Sequence, residues 1–94
     1  MTKVININDC PVGWETDPEY VYIGRGTIYG NPFLISRDGD RFTVIEKGQG
    51  WFDHVIKDKR FREEVLKLKD KILVCHCKPL ACHGDIYVRW LENV

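Results

Sequence analysis

Three of the chain's four cysteines and two of its three histidines fall within nine residues, Cys75-His76-Cys77-Lys78-Pro79-Leu80-Ala81-Cys82-His83, followed at once by Gly84-Asp85. Thiols and imidazoles at this spacing suit more than one chemistry. A helix beginning near Ala81 or Cys82 would put Cys82 in its first turn. Unpaired backbone N–H groups and the positive end of the helix dipole stabilise a thiolate or an anion there. Such a position lowers a thiol below its usual pKa of about 8.5. Cys82 is then a candidate nucleophile, His83 a candidate acid or base, and Asp85 a group to orient the imidazole or meet a sugar hydroxyl. Two other readings stand beside this one. Cys75 and Cys77 on a strand point to one face and are ordinary small buried hydrophobes. Alternatively Cys75, Cys77, Cys82 and His83 are zinc ligands, with Cys10 or His54 available to close the site, although no second C-x₂₋₄-C knuckle is present. No cofactor is predicted; zinc is the metal the pattern admits, ahead of an iron–sulfur cluster, which would need the same four thiols.

A second block, Gly24-Arg25-Gly26-Thr27-Ile28-Tyr29-Gly30-Asn31-Pro32-Phe33, joins glycines to a guanidinium and an amide. It is neither a G-x-G-x-x-G dinucleotide fingerprint nor a Walker loop. Gly24, Gly26 and Gly30 let backbone approach a ligand closely. Arg25 can pair in bidentate fashion with a phosphate or carboxylate. Asn31, held by the following proline, can read a base or ribose edge, and Tyr29 or Phe33 can supply a stacking face or pack in the core.

Both blocks need elements to position them. Ninety-four residues make a single domain spanning 1–94, with 44% hydrophobic and 30% charged residues. Fourteen basic residues balance fourteen acidic ones, which excludes a uniformly basic surface for nucleic acid. The basic residues between Lys57 and Lys71 alternate with Asp58, Glu63, Glu64 and Asp70, the pattern of a solvated helix face. Neither a secretory leader nor an apolar run of about 18 residues is seen, so the expected setting is cytoplasmic, without a membrane partner, and the cysteines are read as reduced.

Val4–Ile7 and Tyr20–Ile23 read as strands. Around Asp38-Gly39 a hairpin competes with a helix that begins near Phe42 and covers at least Gly50–Lys57; Gly48 and Gly50 weigh against the helix. Arg60–Lys69 is amphipathic, and Ile72-Leu73-Val74 continues into the cysteines as a buried strand. A last helix follows Ala81. The order predicts a small Rossmann-like, three-layer α/β domain with a short, mainly parallel sheet and a C-terminal helix after Cys-His-Gly-Asp. Ligands of such sheets bind beyond the carboxyl ends of the strands.

Tyr20-Val21-Tyr22-Ile23-Gly24-Arg25, then Gly30-Asn31-Pro32-Phe33, then Cys75-x-Cys77-x-Pro79-x-x-Cys82-His83-Gly84-Asp85 together resemble the domain-of-unknown-function 4326 family of small bacterial and phage proteins. The resemblance covers nearly the whole chain. It implies that Arg25, Asn31, Cys77, Pro79, Cys82, His83 and Asp85 occupy motif positions. His76 stands where the family commonly has an aromatic such as Trp, and Gly48-Gln49-Gly50 interrupts what the family writes as a continuous helix; the family pattern still favours helix over hairpin.

The expected function is binding of a nucleotide-, nucleoside- or sugar-phosphate-like ligand, with transfer or hydrolysis at a ribosyl or phosphoryl centre through Cys82 and His83. Gly24, Arg25, Gly26, Gly30, Asn31, Cys77 and Pro79 are the candidate ligand contacts. A non-enzymatic phage or bacterial module that docks on a host protein is the alternative, and a zinc-stabilised structural domain the second alternative.

Overall fold

The computed structural model describes residues 1–78, 80 and 82–94. Pro79, one of the candidate ligand contacts, lies outside the described residues.

Three strands form, β1 (Lys3–Asn6), β2 (Tyr20–Tyr22) and β3 (Ile72–Cys75), with three helices, α1 (Arg41–Val55), α2 (Lys59–Leu66) and α3 (Gly84–Glu92). The sheet order is β1-β3-β2 and both pairings are parallel. The expected α/β class, parallel sheet and terminal helix are therefore present. The uninterrupted apolar β3 takes the central place because it is the strand that can be buried on both faces. Leu73, Val74 and Cys75 are each 0% exposed. Their side chains alternate across the sheet, so neither face of β3 meets water.

Helix α1 starts where Asp40 caps it, its carboxylate accepting the Thr43 N–H at 2.8 Å. The Asp38 carboxylate accepts the Leu34 N–H and the Arg37 Nε–H, both at 2.8 Å, and folds this stretch into a turn that feeds the helix instead of a hairpin. The helix then runs unbroken through Gly48-Gln49-Gly50. Gly48 is there for space: a Cβ on it would lie 2.7 Å from Asn31 Nδ2. Asp58 caps α2 through the Phe61 N–H at 2.9 Å. Phe52 of α1 meets Phe61 of α2 and Tyr87 and Trp90 of α3, with ring centroids 6.3, 5.0 and 6.3 Å away. One aromatic residue thus ties the three helices together. Helix α3 enters flush against the sheet, since a Cβ on Gly84 would lie 2.9 Å from Ile23 Cδ1 and 3.0 Å from Val4. Among the described residues no helix is long and apolar enough to cross a membrane.

Candidate functional site

Parallel strands put Asn6, Tyr22 and Cys75 at one edge of the sheet. The two chemistry-bearing blocks begin just beyond β2 and β3 at that edge. Three hydrogen-bonded ties hold them. Ile23 continues the ladder past β2, its N–H donating to Val74 O at 3.0 Å. Asn6 Nδ2 donates to Lys78 O at 2.7 Å and to His76 O at 3.3 Å, strapping the turn after β3. His83 Nε2 lies 2.8 Å from Ile23 O. A carbonyl only accepts, so that ring nitrogen carries the proton and His83 joins one block directly to the other.

Between them lies a cleft of about 130 Å³. Gly24, Arg25 and Asn31 line it from the block after β2, and Phe33 and Ile35 from the turn before α1. Arg41, Val44 and Ile45 add the first turns of α1, and His76, Cys77 and His83 the segment after β3. No carboxylate is among the lining residues. Arg25 is exposed and, among the described residues, has no hydrogen bond or ion pair. His76 is held by Tyr22, whose hydroxyl lies 2.9 Å from its Nε2 and whose ring meets the imidazole edge-on. The Tyr22 phenol can lie there because position 24 is glycine; a Cβ would fall on the phenol oxygen. The lining thus mixes the apolar side chains Phe33, Ile35, Val44 and Ile45 with guanidinium and imidazole groups.

Several candidate residues occupy other places. Cys82 is 1% exposed and sits beneath the cleft instead of lining it. The lowered thiol expected there falls on Cys75. Cys75 is lowered to about 5 by the neighbouring Cys82 thiol and by the backbone of Lys78 and Cys77, against the cost of burial. Cys82 is pushed up by the Cys75 sulfur and by its own burial, while the Gly84 N–H donates to its Sγ at 3.4 Å. Helix α3 begins only at Gly84, with His83 as its cap, so Cys82 lies ahead of the helix and not in its first turn. His83 Nδ1 approaches Cys82 Sγ at 3.8 Å, so both of its ring nitrogens face protein atoms. Asp85 does not reach His83 through a hydrogen bond among the described residues. Its carboxylate pairs with Lys78 Nζ at 2.6 Å and accepts the Cys82 N–H at 3.3 Å, which staples the loop ahead of α3. This partner raises the Lys78 pKa.

Asn31 lines the cleft, but both ends of its amide are used: Nδ2 donates to Val44 O at 3.1 Å, and Oδ1 accepts the Phe33 N–H at 3.0 Å. It is a strut between the loop and α1. Gly26 and Gly30 lie outside this cleft, in an adjoining open groove that Arg25 and Asn31 also line. Gly26 takes a left-handed turn at φ +88°, and Gly30 packs so close that a Cβ would lie 2.8 Å from the Gly24 carbonyl oxygen. Among the described residues no three His, Cys, Asp or Glu side chains are grouped to hold a metal ion. That arrangement gives the zinc reading of Cys75, Cys77, Cys82 and His83 no support.

Sequence reasoning passed over Arg41, Tyr22 and Asn6. Arg41 had a readable signal, an Asp at the helix cap one residue earlier. Tyr22 and Asn6 act through contacts with partners 54 and 70 or more residues away, which no local pattern encodes.

The architecture defines a small parallel α/β domain with a carboxylate-free cleft at the carboxyl edge of its sheet. The chain belongs to the family described as Domain of unknown function (DUF4326), whose model matches residues 9–93. It is similar to the uncharacterized 12.4 kDa protein in the nrdA-td intergenic region of Enterobacteria phage T4, 40% identical over 68 residues. That match covers 70% of this chain and 61% of the phage protein, so it spans less than two thirds of the relative's length. No solved structure matches the chain.

Proposed function

We propose that the chain binds a nucleotide- or sugar-phosphate-like anion in the cleft at the carboxyl edge of the sheet. The observation that carries this reading is the lining itself: Arg25, Arg41 and His76 border one small cavity, and no carboxylate does. Guanidinium groups beside an imidazole favour phosphate over a neutral ligand, because the anion's hydrogen bonds are charge-assisted. The apolar side chains Phe33, Ile35, Val44 and Ile45 in the lining suit the face of a sugar or base. Similarity to a phage protein supports a setting in the cytoplasm of a bacterial host.

Any covalent step at a phosphoryl or ribosyl centre falls to Cys77, the thiol that lines the cleft. Cys82 is shielded and takes no direct part. The test is Arg25→Ala. Arg25 is exposed, so its loss should leave stability within about 0.5 kcal/mol. Affinity for inorganic phosphate or a nucleoside monophosphate, read by calorimetry or by the rise in melting temperature with ligand, should fall about tenfold or more. Unchanged affinity in a folded Arg25→Ala protein would remove the anion site.

A further inference from the structure

Resting on that reading, we infer that the cleft takes its ligand end-on: it encloses a terminal phosphate monoester and leaves the organic part outside, against the rim. Three observations converge. The cavity holds about 130 Å³, whereas clefts that envelop a whole drug-sized ligand run to roughly 300 Å³ or more. A nucleotide does not fit within it, but one phosphate group does. The polar groups that could meet a compact charge also come from different elements, Arg25 and His76 beyond the strand ends and Arg41 at the start of α1.

The rim supplies the third observation. Ile35 lines the cleft and is still 45% exposed, so an organic group leaving the mouth has an apolar surface to lie on. The Asn31 amide, the one neutral side-chain group there suited to reading a base edge, is pinned by one bond at each end, to Val44 O and from the Phe33 N–H, so the fold and not the ligand sets its orientation. Recognition therefore rests on the phosphate, with little selection among the groups attached to it. A terminal monoester carries up to two negative charges and three free oxygens. An internal diester carries one charge and has a substituent on both sides, so the small cavity would have to admit part of one of them.

A matched panel tests this: inorganic phosphate, adenosine 5′-monophosphate, adenosine 3′,5′-cyclic monophosphate and adenosine, titrated into the full chain by calorimetry. Phosphate and the 5′-monophosphate should compete for one site, with the 5′-monophosphate no more than about tenfold the tighter, since only its end is enclosed. The cyclic diester should bind at least about tenfold more weakly than the 5′-monophosphate, and adenosine should not bind at millimolar concentration. Ile35→Ser should weaken the 5′-monophosphate and leave inorganic phosphate unchanged. Equal binding of the cyclic diester and the 5′-monophosphate would overturn end-on recognition while the anion site stood. Adenosine binding as tightly as its monophosphate, or no anion binding at all, would overturn both.

Discussion

Cys75 and Cys82 are neighbouring buried thiols, one lowered and the other raised, and this gives stability a particular dependence on pH. In the unfolded chain both thiols titrate near 9. In the folded chain Cys75 is deprotonated from about 5 upward, while Cys82 keeps its proton well past 9. Between 5 and 9 the folded pair binds fewer protons than the unfolded pair, so its contribution to stability climbs as pH rises. Above 9 the folded pair binds more, and the contribution declines. Subtracting the melting curve of Cys82→Ala from that of the native chain should leave a difference that grows from pH 5 to 9 and shrinks above it. Parallel curves would show that the two thiols do not shift one another. The sequence displayed the cluster but not the assignment: position at a helix start singled out Cys82, and only the facing sulfur of Cys75 reverses the order.

At the scale of elements, glycine 48 shows how packing overrides propensity. A glycine inside a helix ordinarily costs about 1 kcal/mol relative to alanine. Gly50 obeys that rule, for its Cβ would meet nothing within 4 Å. Gly48 does not, because Asn31, pinned at both ends of its amide, fills the space. Gly50→Ala should stabilise the domain by about 0.5–1 kcal/mol. Gly48→Ala should destabilise it by about 1–3 kcal/mol, the usual cost of overfilling a packed contact. Urea denaturation of the two variants reads both signs, and a gain at position 48 would refute the strut. The identity of most elements was legible from apolar periodicity: β2, β3, α2 and α3 fall within a few residues of where the sequence puts them. The Asp38-Gly39 ambiguity was not resolvable locally, since Asp38 and Asp40 suit a turn or a cap equally until their backbone partners are known.

The molecule as a whole carries no formal net charge, so the field at the cleft is local and owes little to long-range attraction. Exposed Arg25 and His76 are open to screening by salt. Raising the ionic strength from about 0.05 M to 0.5 M should weaken phosphate binding roughly three- to tenfold, since the screening length shrinks below about 5 Å. Insensitivity to salt would point to a site where apolar contact dominates. The sequence by itself determined the α/β class, the central place of the apolar β3, and the two segments that hold the chemistry, because strand periodicity, helix caps and residue types are local properties. Tertiary structure alone decided which thiol lines the cleft, that Arg41 and Tyr22 belong with it, and that Asp85 and Asn31 serve as fasteners. Asp85 apart, whose partners lie 3 and 7 residues away, those outcomes depend on which side chains meet across 13 to 60 residues of chain, and a parallel sheet sets such meetings through its register and crossovers, which no short stretch of sequence contains.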